Sequence, residues 1–283
     1  MPEGPEIKII TNWLDGYTKG TTILDCPDEY PLNSKSEYKK VTGFRNLIGK
    51  VLSNVTCKGK QIFFHLCPNP SEPSSPSGSL DFYLNSRLAL EGKWSPNEGN
   101  NTRFWIKLNG LNSEHKMLYF DDSMNYGGLD LLNVTEYNSK LDSIGPDLLS
   151  DNIPFDFYKF KIKGNRIRNK QICDFLMEQS YFSGIGNYLK CEILYECKIR
   201  PDKKLCDLPD QDVYNLWNNS IRIIKLSYQH GGLTIKTFWS PEGNKGIFPK
   251  KIYGNQVDSL GNPIIKETFK DKRVTHWVPN IQK

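Results

Sequence analysis

Hydrophobic and polar residues alternate along several short segments in the first half of the chain. Alternation of this kind predicts strands with one buried face. Four segments show it: residues 50–56, 61–66, 103–108 and 116–120. Ahead of them, residues 6–14 carry apolar positions at helical spacing and predict a short amphipathic helix. The first half is therefore predicted to be an antiparallel β-sandwich with a helix at its start.

Two segments interrupt this periodicity. Residues 68–79 are a run of Pro, Ser and Gly with few apolar side chains. Because such a composition cannot bury apolar surface, we expect a mobile surface insertion there. Residues 145–154 begin with Gly-Pro and end with Pro, and are predicted to lead into a second domain.

Helical spacing dominates the chain after this link. Residues 169–179 and 186–195 predict two helices, and residues 180–184 break the pattern between them. Residues 210–228 predict a longer helix with Asp210 as its N-cap and a pair of glycines just after its end. The second half is therefore predicted to be mostly α, which makes the whole chain α+β.

The tail returns to a strand-like pattern. Residues 250–253 and 273–278 are predicted to be strands, and Gly261 and Asn262 predict a turn between them. We therefore expect a small C-terminal β-hairpin.

The composition is that of a folded protein with two cores. The chain has 283 residues, of which 37% are hydrophobic and 24% charged, so it is long enough for two domains and too apolar to be disordered. It has no apolar run that could span a bilayer and no secretory signal, so we expect it inside a cell. Its seven cysteines form no Cys-x-x-Cys pair, which argues against a disulfide framework and a cysteine-based zinc site.

Positive charge is clustered although the net charge is small. The formal charge is +5, with 37 Lys and Arg against 32 Asp and Glu. Residues 159–170 and the last forty residues hold most of the clustered Lys and Arg. Such clusters suit a phosphate backbone, and a solvated basic face is the alternative.

The N-terminus carries the strongest candidate chemistry. Removal of Met1 would leave the secondary amine of Pro2 as the first group of the protein. An α-amino group has a reference pKa of roughly 8, so an appreciable fraction is neutral near pH 7 and able to attack an aldehyde-level carbon. Glu3 and Glu6 could supply acid or base chemistry beside it. A processing signal followed by a helix start is the alternative.

Three separated segments, residues 2–6, 57–64 and 169–188, together resemble the Fpg/Nei family of DNA glycosylases. Pro2-Glu3-Gly4-Pro5-Glu6 resembles the catalytic N-terminus of the family, residues 57–64 its Gly-Lys strand turn, and residues 169–188 its helix-two-turn-helix. Members remove oxidised bases and cut the strand at the abasic site. The resemblance covers nearly the whole chain and implies four regions: residues 1–145 as a β-sandwich catalytic domain, 146–153 as a linker, 154–240 as a helix-two-turn-helix domain and 241–283 as a finger hairpin.

The resemblance implies roles for four catalytic residues. Pro2 would be the nucleophile at C1′, and Glu3 would protonate the sugar ring oxygen. Glu6 would pass protons through water near the nucleophile. Lys60 would contact the phosphate beside the lesion, although an isolated lysine in a Gly-Lys turn is usually only exposed. Catalysis would need no cofactor.

The resemblance also implies a phosphate-binding surface in the second half. Gly186 and Asn187 would receive the DNA backbone at a helix N-terminus with free amides, and a locally capped helix is the alternative. Arg273 would grip the phosphate beside the lesion. The four finger cysteines of most members are absent, and Val278 and Ile281 stand among the expected ligand positions. This resembles the zinc-less finger of Nei-like enzymes from animals and giant viruses, so we expect no metal and a hairpin held by packing.

Two loops align with those that fill the gap left by an extruded base. Leu90 falls in the wedge position, with a buried leucine as the alternative, and Tyr126 falls at the aromatic position of the second loop. Met124 and Asn125 replace the Arg-Arg pair of the family. Without that guanidinium we expect no strong preference for lesions opposite cytosine, and oxidised pyrimidines and hydantoins as substrates.

The sequence thus predicts a monomeric, bifunctional DNA glycosylase/AP lyase of base excision repair that works through a Schiff base on Pro2 and β,δ-elimination. Its partner would be double-stranded DNA, with single-stranded DNA also open, in a nucleus or a viral replication compartment. Two alternatives stay open: a catalytically silent module that binds damaged or branched DNA, and a helix-two-turn-helix protein of the ribosomal or topoisomerase kind.

Overall fold

The computed structural model describes residues 1–32, 40–70, 80–110, 115–234 and 243–283. The chain forms two compact units. The sheet unit comprises residues 1–2, 6–142 and 234–245, and the helical unit comprises residues 3–5, 143–233 and 246–283. Residues 71–79 of the predicted insertion at 68–79 lie outside the described residues, and the four predicted region boundaries stay predictions.

The sheet unit is built on one antiparallel sheet of eight strands, in the order β10-β6-β5-β4-β1-β8-β9-β7. The strands are β1 (Thr22–Asp25), β4 (Val51–Lys58), β5 (Gln61–Cys67), β6 (Phe82–Arg87), β7 (Lys93–Ser95), β8 (Thr102–Asn109), β9 (His115–Asp121) and β10 (Gly128–Asn133). A separate pair consists of β2 (Glu29–Tyr30) and β3 (Val41–Thr42). All four strands predicted from alternation are present, since each has a buried face.

Two helices belong to this part of the chain. Helix α1 (Gly4–Thr18) is longer than predicted at both ends. Its Ile7, Ile10 and Leu14 join the apolar core of the sheet unit. Helix α2 (Val134–Ser143) was not predicted, and none of its residues is buried.

The helical unit contains four further helices: α3 (Phe155–Ile162), α4 (Ile172–Met177), α5 (Asn187–Glu196) and α6 (Asp210–Gln229). The expected helix, break and helix appear as α4 and α5, with α4 shorter than predicted. The predicted N-cap of α6 is wrong. Pro209 holds that position, and Asp210 is the first helical residue, where its carboxylate accepts from Lys159 at 2.7 Å.

The C-terminal hairpin is present, with one strand different from the prediction. Its strands are β11 (Ile265–Thr268) and β12 (Val274–Trp277). Residues 250–253 are not a strand. The buried Glu192 carboxylate on α5 accepts their backbone N–H groups at 2.8–3.0 Å, so a side chain satisfies the amides that a strand partner would otherwise bind. The segment before the hairpin is therefore bound to α5 through Glu192.

No described helix combines the length and the apolar composition that crossing a bilayer requires.

Candidate active site

Glu3 is bound at the N-terminus of α5. Its buried carboxylate accepts backbone N–H groups from Gly186 at 2.6 Å, Tyr188 at 2.9 Å and Leu189 at 3.3 Å. The first N–H groups of a helix lack intrahelical partners, and a negative group there also meets the positive end of the helix dipole. A residue from the third position of the chain thus caps a helix more than 180 residues later.

This cap corrects one prediction. The amides at the start of α5 were expected to be free for a DNA phosphate, and three N–H groups of the turn and first helical turn bind Glu3 instead. The Glu3 side chain is 3% exposed, so the interaction is fully inside the helical unit.

Glycines make the close approach of Glu3 possible. A Cβ at Gly186 would lie 2.3 Å from Glu3 Cδ, so a side chain there would force the Glu3 carboxylate to move. At Gly184 the backbone has a φ of +100°, a conformation that favours glycine. The carbonyl of Gly184 accepts the N–H of Gly4 at 2.8 Å, which fixes the start of α1 beside the same turn. The small residues of this turn therefore make room for Glu3 and Gly4 of the same chain.

Pro2 and Glu6 lie on either side of Glu3 in the chain. Pro2 is buried, two residues before α1 begins, and Met1 precedes it. Glu6 lies in the first turn of α1 and is 1% exposed. Because Glu3 is immobilised by three hydrogen bonds, the adjoining peptide of Pro2 is tied to a fixed point.

Lys60 lies in the two-residue turn between β4 and β5. Gly59 has a φ of +58°, as the first residue of such a turn often requires glycine. Lys60 itself is half-buried. The neighbouring Lys58 donates to the carbonyl of Leu141 in α2 at 2.8 Å, so the unpredicted helix holds this turn through its C-terminal end.

Asn187 and Arg273 are connected through the finger hairpin. The Asn187 side-chain amide donates to the carbonyl of Val274 at 2.9 Å. Arg273 is the residue just before Val274, and its side chain is exposed. The structure therefore brings two predicted phosphate-binding residues to one place in the helical unit.

Apolar packing replaces the missing zinc ligands in the finger. Val278 is fully buried in a cluster with Cys191, Tyr195 and Ile252, and Ile281 packs against this cluster. Burial raises the pKa of the Cys191 thiol to about 12, so it is a neutral packing group and not a thiolate ligand. In the described part of the chain, no group of three or more His, Cys, Asp or Glu residues could hold a metal ion.

The two predicted gap-filling loops lie side by side in the sheet unit. Leu90 is 37% exposed and Tyr126 is 55% exposed, so neither is a core residue. Ser123 of one loop donates a short hydrogen bond to Glu91 of the other. Met124, between Ser123 and Tyr126, is 44% exposed. The paired loops therefore present three apolar side chains to solvent.

Asp122 builds the second of these loops, and the sequence analysis missed it. Its fully buried carboxylate accepts the N–H groups of Met124, Asn125 and Gly127 at 3.1, 2.9 and 2.5 Å. The Asp-Ser start of the loop is a recognisable turn signal, and it could have predicted these hydrogen bonds from the Asp122 side chain to the loop backbone.

Gln179 has a comparable role in the turn before α5, which the sequence analysis treated only as a helix end. Its amide donates to the carbonyls of Met177 and Ile185 and accepts from the N–H of Gly184. No sequence signal distinguished this glutamine from a surface residue.

Much of the basic cluster at 159–170 is paired inside the protein. Lys159 binds Asp210, Lys163 donates to the carbonyl of Leu208, and Lys170 binds Asp174. These contacts favour a structural role for part of the cluster.

Comparison with family models identifies the chain. Residues 1–129 match the formamidopyrimidine-DNA glycosylase N-terminal domain, and residues 144–239 match the H2TH domain of the same enzyme. The chain belongs to the Fpg/Nei family of DNA glycosylases. The Fpg/Nei resemblance of the three sequence segments is thereby confirmed.

The chain is also similar in sequence to Endonuclease 8 relatives and similar in fold to solved structures. Endonuclease 8 of Shigella sonnei is 25% identical and one of Escherichia coli is 26% identical, each over 291 aligned residues and 100% of both chains. An FPG mutant of Lactococcus lactis, in complex with Fapy-dG-containing DNA, has a TM-score of 0.80 at 23% identity over 100% of both chains. The MutM protein of Thermus thermophilus has a TM-score of 0.81 at 20% identity, over 99% of this chain and 98% of its own. These structures confirm the α+β fold.

Proposed function

We propose that this DNA glycosylase is a bifunctional glycosylase/AP lyase that uses the Pro2 amine as its nucleophile. The observation that carries the proposal is the fixed Glu3 carboxylate directly after Pro2. A buried acid held by three backbone donors is poised for chemistry at a neighbouring amine. Removal of Met1 is required, because the acylated nitrogen of an internal proline is not nucleophilic.

The proposed reaction begins with proton transfer. The Glu3 carboxylate directly follows Pro2 in the chain and is proposed to take the proton of the Pro2 ammonium. The neutral amine adds to C1′ as the damaged base leaves with its bonding electrons. The remaining N–H proton of Pro2 passes to the departing base, and Glu3 returns its own proton to the sugar ring oxygen as the ring opens. An iminium between Pro2 and C1′ remains. Glu6, buried in the first turn of α1, is proposed to relay protons through water.

The iminium then makes strand cutting possible. It acidifies the C2′ proton, whose removal expels the 3′ phosphate by β-elimination, and a second elimination expels the 5′ phosphate. A one-nucleotide gap is the product. The protein contributes position and charge, since the iminium is itself the electron sink.

Lys60, Asn187 and Arg273 are proposed to bind the DNA backbone. Lys60 lies on a turn held by Lys58, and a lysine there acts as a point charge for a phosphate. Asn187 has two side-chain N–H groups, one of which binds Val274, and the second can donate to a phosphate. Arg273 is exposed at the start of β12. At Gly186 only close backbone approach is proposed, since its N–H binds Glu3.

The substrate class follows from the two exposed loops. Leu90 and Tyr126 are proposed to fill the gap left by the extruded nucleotide, and Tyr126 to stack on the unpaired base. Met124 offers no hydrogen-bond donor to read that base. We therefore propose oxidised pyrimidines and hydantoins as substrates, with little dependence on the opposite base. The enzyme would act wherever the genomic DNA of its host cell or virus is held.

A cleavage assay tests this function. A duplex with one 5,6-dihydrouracil should be cut to a one-nucleotide gap by the mature protein and not by Pro2→Gly. Both proteins should bind a duplex with a tetrahydrofuran abasic analogue with similar affinity. Binding by both without cutting by either would favour the alternative of a catalytically silent DNA-binding module.

A further inference from the structure

A fully buried ion pair joins α5 to the turn of the finger hairpin. Lys190 on α5 and Asp271 in the turn between β11 and β12 have side chains that are 0% and 1% exposed. The Lys190 ammonium binds Asp271 Oδ2 by a short contact and Thr275 Oγ1 at 2.8 Å. Burying two charges costs free energy unless the ions are well placed and their remaining hydrogen-bonding groups have partners. The hydrogen bond of Lys190 to Thr275 supplies such a partner.

The two partners of Lys190 are the side chains that hold the backbone of Arg273. Asp271 Oδ1 accepts the Arg273 N–H at 3.2 Å. The Thr275 hydroxyl donates to the Arg273 carbonyl at 3.4 Å. Both polar groups of the Arg273 main chain are therefore bound by side chains that also contact the Lys190 ammonium.

A second residue of α5 completes this arrangement. Asn187, one helical turn before Lys190 on the same helix, donates to the carbonyl of Val274 at 2.9 Å. Arg273 is thus bounded by Asp271 on one side and Val274 on the other, and both are bound to α5. Lys272 has a φ of +57°, so the turn adopts a left-handed conformation that needs support from such contacts.

The hairpin turn has one described aromatic contact, in which Phe269 lies edge-on to Trp277 with ring centroids 6.2 Å apart. All four residues of β11 are exposed, and a two-stranded hairpin of this length is marginal in isolation. The apolar cluster around Val278 and Ile252 lies after β12 and in the loop that precedes the hairpin. The Lys270 N–H also donates to Gln171 Oε1 at 3.3 Å, and the buried ion pair is the contact of the turn that involves two charged groups.

We propose that Lys190 and Asp271 are positioning residues that hold Arg273 in its phosphate-binding geometry, in place of the metal that shapes the finger of zinc-containing members. This inference rests on the proposed function of Arg273 as a DNA contact. A pre-positioned guanidinium loses less conformational freedom when it binds a phosphate, so affinity depends on the turn as well as on the arginine.

Binding measured across a salt series tests the proposal. The ligand is a duplex with a tetrahydrofuran abasic analogue, which the enzyme cannot cut, so the measurement is independent of the lyase chemistry. Arg273→Ala is made in the wild type and in Lys190→Met/Asp271→Leu, which replaces the ion pair by apolar side chains. Lys203→Met/Asp212→Leu removes another ion pair of the helical unit and is the matched control.

The proposal predicts that the ion-pair variant loses the contribution of Arg273 to DNA binding, although Arg273 itself is still present. In the wild type, Arg273→Ala should weaken binding about tenfold and reduce the slope of log Kd against log salt by roughly 0.9. The apolar pair variant should already show the smaller slope, and adding Arg273→Ala should then change Kd less than about twofold. The control variant should keep the wild-type slope and the full effect of Arg273→Ala.

The proposal is overturned if the Lys190→Met/Asp271→Leu variant folds, keeps the wild-type slope of log Kd against log salt, and still shows the full effect of Arg273→Ala. If the double variant does not fold, Asp271→Asn replaces it, since it keeps an oxygen acceptor for Arg273 and removes the charge. It should show the same reduced slope, and a wild-type slope would refute the positioning role. Failure of the wild type to form a Schiff base on cleavable abasic DNA would refute the proposed function and leave this binding result intact.

Discussion

The Glu3 carboxylate and the backbone N–H of Gly186 are joined at 2.6 Å, with no space for a side chain at position 186. This hydrogen bond ties the third residue of the chain to the N-terminus of α5. Pro2 directly precedes Glu3, so the proposed nucleophile lies one peptide bond from this anchored residue.

Gly186→Ala should therefore impair chemistry more than it impairs folding. Its Cβ would lie 2.3 Å from Glu3 Cδ, so Glu3 must leave its three donors. We expect a loss of stability of about 1–3 kcal/mol, typical of overpacking, and a fall in single-turnover excision of at least a hundredfold. Thermal unfolding and single-turnover excision from a dihydrouracil duplex measure the two effects.

Gly16→Ala is the matched control. Gly16 lies inside α1 and has nothing within 4 Å of the position of a new Cβ. Alanine there should stabilise the protein by about 0.4–1 kcal/mol and leave excision unchanged. Wild-type excision by Gly186→Ala would contradict the positioning of Pro2 through Glu3.

The role of Glu3 as a cap shows what local pattern can and cannot predict. Asn187 and the glycines before it predicted the start of α5 correctly, because helix-start signals are local. The partner of its amides lies far away in sequence, and no periodicity reports a contact between Glu3 and Tyr188. Helix boundaries and strands with a buried face could thus be predicted, and the capping interaction required the fold.

Met124→Arg should introduce a preference for the base opposite the lesion. A guanidinium at this exposed position can donate to the acceptors of an unpaired cytosine, which Met124 cannot do. We expect the ratio of excision opposite cytosine to excision opposite adenine to rise roughly tenfold, the effect of one charged hydrogen bond. Paired duplexes that differ only in this base measure the ratio.

Met124→Leu is the control for that substitution and should keep the wild-type ratio. An unchanged ratio in Met124→Arg would show that residue 124 does not face the unpaired base. The wild-type ratio itself should be close to one.

His276 should make the finger sensitive to mild acid. Burial, followed by the nearby Lys266, Lys250 and Lys190 charges, lowers the pKa of this imidazole below 6.5. Its Nδ1 accepts the N–H of Gly254 at 2.6 Å, so the folded protein requires the neutral ring. A lowered folded-state pKa means that the unfolded state binds more protons, so this contribution is complete above about pH 6.5 and is lost as the pH falls toward the folded pKa.

The comparison with His276→Asn isolates this effect. Asparagine keeps an acceptor near the position of Nδ1 and does not titrate. Between pH 7.5 and pH 5.5 the melting temperature of the wild type should fall further than that of His276→Asn. Burial raises the pKa of Glu192, which acts in the opposite direction and is common to both proteins. An equal fall in the melting temperature of the two proteins would contradict the requirement for a neutral His276 ring.

The finger shows the same division between local and long-range information. Val278 and Ile281 were expected to hold the hairpin by packing; Val278 lies in the apolar cluster with Ile252, and Ile281 packs against it. The strand predicted at 250–253 was wrong, because three N–H groups there bind Glu192 on α5, a contact that the local pattern of apolar residues does not encode. The Lys190–Asp271 pair was equally hidden, since a lysine within a helix usually lies on the surface.

The central claim is that the Pro2 amine forms a covalent bond with C1′ of the damaged nucleotide. Borohydride reduction of the mature protein on an oligonucleotide with one abasic site, followed by mass mapping of the cross-linked peptide, tests it most directly. The account predicts a stable adduct on Pro2, and none for a protein that retains Met1. An adduct on a lysine such as Lys60, or efficient trapping by the Met1-blocked protein, would contradict it.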